Sequence, residues 1–89
     1  MTRCVFKYLI TIADEQALMM PMKHRFLTAQ FQGGSLCLWA EVEPGTGLRP
    51  VTIRIFGTGN PLPDEPGEYI ATAQQYDGAL VWHVYAERA

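Results

Sequence analysis

Charge is scarce in this sequence. Only 18% of its 89 residues are charged, against about 25% in an ordinary soluble domain. The formal net charge is −2 and the pI about 5.5. Modules that grip duplex nucleic acid show a basic stripe or a pI above ~9. Neither is present, so duplex nucleic acid is not an expected partner. Cysteine is nearly absent too. Cys4 and Cys37 stand alone, without C-x-x-C spacing, and both lie in apolar strand-like runs, which reads as buried free thiols. Even joined by His24 and His83 they do not make a credible zinc set, so no metal is expected. No apolar run approaches the ~18 residues that cross a bilayer. Residues 1–15 hold one arginine and a broken apolar run with no small-residue cleavage site. The expectation is a cytoplasmic protein without a membrane partner.

Catalytic constellations are missing as well. Ser35 sits beside a turn rather than on a nucleophile elbow, and the adjacent carboxylates Asp64 and Glu65 diverge too easily to act as an acid/base pair. His83 lies between Trp82 and Val84 and reads as a partly buried, hydrogen-bonded histidine. His24, between Lys23 and Arg25, reads as a solvated turn residue. No enzyme, no catalytic residue and no cofactor is expected.

What the chain does have is period-two patterning, the mark of half-buried strands. In 4–12, Cys4, Phe6, Tyr8, Ile10 and Ile12 share one side. A short piece, 17–20, stops at Pro21 and reads as an edge strand. Residues 24–32 alternate weakly up to Gly33-Gly34, a two-residue hairpin turn. In 35–43, Leu36, Leu38, Ala40 and Val42 point inward, and in 51–56 Val51, Ile53 and Ile55 do. Residues 69–75 and 79–86 flank the hairpin signal Asp77-Gly78. Seven strands at spacings of about 8–12 residues predict an all-β fold in one domain, 1–89. The architecture is a small sandwich or partly open barrel of mostly antiparallel strands. The core set is Leu36, Leu38, Val42, Val51, Ile53, Ile55, Leu80, Trp82 and Val84. Several strands carry aromatics on their second side: Trp39, Phe56 and Tyr85. Either two sheets enclose them, or a second surface packs on another chain, where aromatics are enriched.

The sharpest local feature follows the strand 51–56. Gly57-Thr58-Gly59 leads into Asn60-Pro61-Leu62-Pro63-Asp64-Glu65-Pro66-Gly67, a loop with three prolines. Proline fixes φ near −65° and removes a donor, so the loop is conformationally specified yet cannot extend a sheet. Such loops on β scaffolds are where binding sits. Arg54, Gly57, Thr58, Gly59, Asn60, Pro61 and Leu62 are therefore the candidate binding residues. The Gly-Thr-Gly step also allows an anion-binding nest of backbone N–H groups. It is not the dinucleotide fingerprint, because Asn60-Pro61 cannot open a helix there.

Nearly the whole chain resembles a family of small uncharacterised proteins encoded mostly by bacteriophages and prophages. The resemblance rests on Met20-Pro21, Leu38-Trp39-Ala40-x-Val42 and the run Arg54-Ile55-Phe56-Gly57-Thr58-Gly59-x-Pro61-Leu62-Pro63. It continues in Tyr69-Ile70-Ala71-Thr72 and the closing Gly78-Ala79-Leu80-Val81-Trp82-His83-Val84. It implies a phage origin and no particular activity. Members often carry a histidine at the position of Asn60, so any chemistry resting on that histidine is missing here. The expectation is a non-enzymatic, homo-oligomeric module that engages or inhibits a host defence protein. The alternatives are a protein that sequesters a small anionic ligand such as a nucleotide, and a minor virion component.

Overall fold

The computed structural model describes residues 2–88. Seven strands follow one another: β1 (Cys4–Leu9), β2 (Glu15–Pro21), β3 (His24–Gln32), β4 (Ser35–Val42), β5 (Leu48–Gly57), β6 (Glu68–Gln75) and β7 (Leu80–Ala86). Among the described residues there is no helix. All pairings are antiparallel, giving a three-stranded sheet in the order β1-β4-β3 and a four-stranded sheet in the order β2-β5-β7-β6. The two sheets do not close into a barrel. The fold is a small β-sandwich.

Local chemistry sets the strand ends. Gln32 pairs with Ser35, so Gly33 and Gly34 alone make the β3–β4 turn. Both have positive φ, as the tight turn that matches strand twist requires. The β6–β7 turn is longer. Gln75 pairs with Leu80, and Tyr76, Asp77 and Gly78 all take positive φ. β2 lies at an edge and ends on Pro21. β5 begins earlier than the sequence pattern indicates and includes Pro50. The proline is tolerated because β7 pairs with β5 only from Ile53 onward. Beyond that ladder Glu87 completes the bonding: its N–H donates to Thr52 O at 2.9 Å, and Thr52 N–H donates to Glu87 Oε1 at 2.8 Å.

The core lies between the sheets. β4 contributes Leu36, Leu38, Ala40 and Val42, β5 contributes Val51, Ile53 and Ile55, and β7 contributes Val84 and Ala86. Met20, Ala29, Ile10, Ala71 and Ala73 complete it. Each large side chain so buried contributes roughly 1.5–3 kcal/mol. The alanines of β6 are small enough to accept β3, which packs along β6 and brings Phe26 and Phe31 against the core.

Three expectations need correction. Leu80 is not core: it starts β7 beside the turn and is 43% exposed. Cys4 is exposed rather than buried, because the four-stranded sheet covers Ile10 but not the first half of β1. His24 is not a solvated turn residue. It is half-buried, its Nδ1–H donates to the Pro21 carbonyl at 2.7 Å, and its ring meets Phe26 edge-on at 5.2 Å. A carbonyl only accepts, so the proton on Nδ1 is fixed by the partner.

Candidate functional site

The outer face of the four-stranded sheet presents side chains that no other element covers. Register places them in two rows. In one, Arg54, Tyr85 and Tyr69 lie side by side across β5, β7 and β6; in the next, Phe56, His83 and Thr72 do. Tyr85 is the hub of the aromatic part. It meets Phe56 at 5.6 Å and Tyr69 at 5.5 Å between ring centroids, both nearly perpendicular. Such edge-to-face pairs contribute about 0.5–1.5 kcal/mol beyond area burial and hold each ring in one orientation. The strip is therefore packed ring against ring and still accessible: Tyr69 is 53% exposed.

A polar chain runs beside the rings. Tyr69 Oη lies 2.7 Å from Thr72 Oγ1, which lies 3.0 Å from His83 Nδ1. On the other side of the imidazole, His83 Nε2 lies 2.8 Å from Thr58 Oγ1. Hydroxyls donate and accept, so the chain runs equally well in either sense, and both imidazole tautomers are satisfied. The doubly protonated ring is satisfied too, with both threonines accepting. The arrangement fixes the His83 ring upright between two threonines. A sequence reading makes His83 a hydrogen-bonded strand residue, which it is. The reading missed Thr72, which carries no signal of its own in the sequence. It shares a face with Tyr69 only because the register break at Ile70 reverses the alternation that would set residues 69 and 72 on opposite sides of β6.

The proline loop overhangs this face. Thr58 N–H donates to Val81 O at 3.3 Å and Asn60 N–H donates to Gly57 O at 3.1 Å, folding residues 57–60 into a turn. A Cβ at Gly57 would sit 3.3 Å from the Trp82 ring and 3.1 Å from Asn60 Nδ2, tighter than ordinary contact, so the turn packs closely on Trp82. The turn sends Leu62, 51% exposed, out above the sheet. Between loop and sheet lies an open concavity of about 300 Å³, lined by Phe56, Thr58, Asn60, Leu62, His83 and Tyr85. That volume is at the lower end of the range for small-molecule sites, about 300–1,000 Å³.

Thus Phe56, Gly57, Thr58, Gly59, Asn60, Leu62 and Tyr85 come together as one surface. Arg54 borders it, but its Nε–H donates to Glu15 Oε1 at 3.1 Å, and its other neighbours include Asp64, Glu65 and Glu87. Trp39 does not belong. It lies half-buried on the outer face of the other sheet, in line with Lys7 and Thr28, so Trp39, Phe56 and Tyr85 are not one interface. The backbone does not offer the nest that Gly57-Thr58-Gly59 suggests, since the N–H groups of Thr58 and Asn60 are spent inside the fold. The cations around His24 have carboxylates beside them, though three of them share two. Arg25 and Arg3 converge on Glu41 at 3.4 and 2.9 Å, and Lys23 faces Glu43 at 3.9 Å.

The outer face of the four-stranded sheet is thus an aromatic strip bordered by Arg54 and overhung by the proline loop. The chain belongs to a family, the domain of unknown function DUF7352. The family's model matches residues 1–89, the whole chain. No curated protein and no solved structure matches it.

Proposed function

We propose that this protein is a phage-encoded, non-enzymatic binding module that engages a host protein through the outer face of its four-stranded sheet. The observation that carries the reading is the Phe56–Tyr85–Tyr69 strip beneath Leu62. Tyrosine and phenylalanine supply large contact area at low conformational cost, and interface centres are enriched in aromatics and depleted of charge. Here the rings are held edge-to-face before any partner arrives, and the only arginine alongside is already paired with Glu15. Tyr69, Thr72, His83 and Thr58 give a polar margin that can orient a partner's backbone. A small anionic ligand is served less well, because the N–H groups of Thr58 and Asn60 and the Arg54 guanidinium already have partners.

The test uses wild type and the Asn60→Ala/Leu62→Asp variant as parallel baits in extract from infected cells. Both positions are exposed, so the variant should melt within a few degrees of wild type. The expected result is a host protein retained by wild type and lost by the variant. Equal capture by both baits rules out this face as the working surface. Thermal shift against millimolar nucleotides supplies the second arm. A ligand at 100 times its Kd adds about 2.7 kcal/mol of stability, so a clear upward shift would move the reading to a sequestering protein.

A further inference from the structure

Four strands lie at sheet edges: β1 and β3 in one sheet, β2 and β6 in the other. An unpaired edge is a template for another strand, and proteins blunt edges with bulges, prolines, charges or cover. β3 and β6 each carry a register break, at Leu27 and Ile70, and they pack beside one another. β2 opens on Glu15 and ends on Pro21. β1 has neither break nor proline. Its one charge, Lys7, is drawn off the edge: Nζ reaches across β4 and donates to Gln32 Oε1 at 2.9 Å. Val5, Phe6 and Leu9 are exposed along it at 55%, 39% and 68%.

The phase of β1 is set by Ile10, whose N–H donates to Leu36 O at 3.0 Å. Bonded and non-bonded pairs alternate along an antiparallel ladder. Cys4, Phe6 and Tyr8 therefore turn their backbone groups to β4, while Val5, Lys7 and Leu9 turn theirs to the open edge. We infer that β1 pairs antiparallel with β1 of a second copy, about a twofold axis at Phe6. That register sets Val5 against the second copy's Lys7 and Lys7 against its Val5, both with edge-facing backbone groups. Cys4 then faces Tyr8, and Arg3 faces Leu9. Neighbouring registers are worse. An axis at Lys7 sets the two Lys7 side chains directly opposite one another, and an axis at Val5 sets Arg3 opposite Lys7. An axis at Tyr8 leaves little paired, because the strand ends at Leu9.

The Phe6 register also accounts for the exposed half of β1. Phe6 faces the core side of its sheet, beside Ala40, yet the four-stranded sheet does not cover it. In the non-hydrogen-bonded position the two Phe6 Cα atoms come within about 4.5 Å, and the rings cover one another. The two three-stranded sheets become one continuous sheet. This contact uses the opposite sheet from the aromatic face and stands independently of the function proposed for that face.

Light scattering on a size-exclusion column, over a range of concentrations, reads the mass. Wild type should show twice the 10.0 kDa chain mass. A monomer at the highest concentration overturns the inference. Lys7→Pro removes an N–H that faces the edge and none that faces β4, so it should give a folded monomer. Phe6→Lys, at a half-exposed side chain, opposes two ammonium groups across the axis and should also give a monomer while retaining the wild-type circular dichroism. A dimer that survives Phe6→Lys overturns the edge assignment. In a Cys4→Ser background, Phe6→Cys should cross-link almost completely on oxidation, since the two Cα atoms lie within disulfide range. Val5→Cys should not. Cys37 is 1% exposed and does not compete. Equal cross-linking at both positions overturns the register.

Discussion

Gly67→Ala is the substitution that interrogates the proline loop most directly. Gly67 ends the loop and has φ of 106°, a conformation that side chains rarely adopt. A Cβ built there lies 2.2 Å from the Ala86 carbonyl oxygen, whereas ordinary contact begins at 3.4 Å. Neither partner can yield freely. Ala86 is held by ladder pairing to Ile53 on one side and Glu68 on the other. The strained backbone costs about 1–3 kcal/mol, and forcing an atom into occupied space adds about 1–3 kcal/mol. The total, about 2–6 kcal/mol, is a large share of the roughly 4–13 kcal/mol expected for a domain of this length. Gly59→Ala is the matched control. Its φ is 91°, but nothing lies within 4 Å of the added Cβ, so it carries strain without collision. Any loss of unfolded-chain freedom is the same for both and cancels. At about 4–8 °C per kcal/mol, Gly67→Ala should melt at least ~4 °C below Gly59→Ala at equal protein concentration, by calorimetry or tryptophan fluorescence. Equal melting of the two would refute the close approach of loop to β7 and leave only backbone strain.

Ile53→Ala should cost about 2–5 kcal/mol, read from urea midpoints at unchanged slope, because Ile53 is fully buried in the central β5. A midpoint equal to wild type would move Ile53 out of the core. The Tyr8 phenol is held above its ordinary value of 10.0, first by burial and then by the nearby Cys4. Its raised folded value means that the associated stability is complete below the unfolded value, near pH 10, and is lost as pH climbs through the folded one. Tyr8→Phe should therefore flatten the alkaline fall of the melting temperature; an unchanged fall would show that this phenol does not drive it.

Strand identity was legible in residue order. Alternation along 35–43 and 51–56, the Gly33-Gly34 pair and Pro21 fix periods and breaks, and these are local properties of backbone and side chain. The inward sets of β4 and β5 follow from them directly. Small core residues were harder to read: Ala29, Ala71, Ala73 and Ala86 are buried because a strand passes over them, and alanine carries no preference strong enough to announce that. Cys4 and Leu80 failed for the converse reason. Their apolar character favours burial, but the opposite sheet does not extend over them.

The candidate face divides in the same way. The Gly-Thr-Gly turn and proline loop were legible because glycine and proline act on their own φ. Sequence by itself determined that the chain would form seven strands, that a loop with three prolines would follow the strand carrying Phe56, and that Phe56 and Tyr85 would point away from the inward sets. Only the tertiary structure decided that Thr58, Thr72 and Tyr69 form one chain through His83, and that Trp39 belongs to the opposite surface. It also decided that β1 is the unguarded edge. The physical reason is register. Which outward residue stands beside which depends on how strands far apart in sequence align, and a shift of one residue would exchange the two faces.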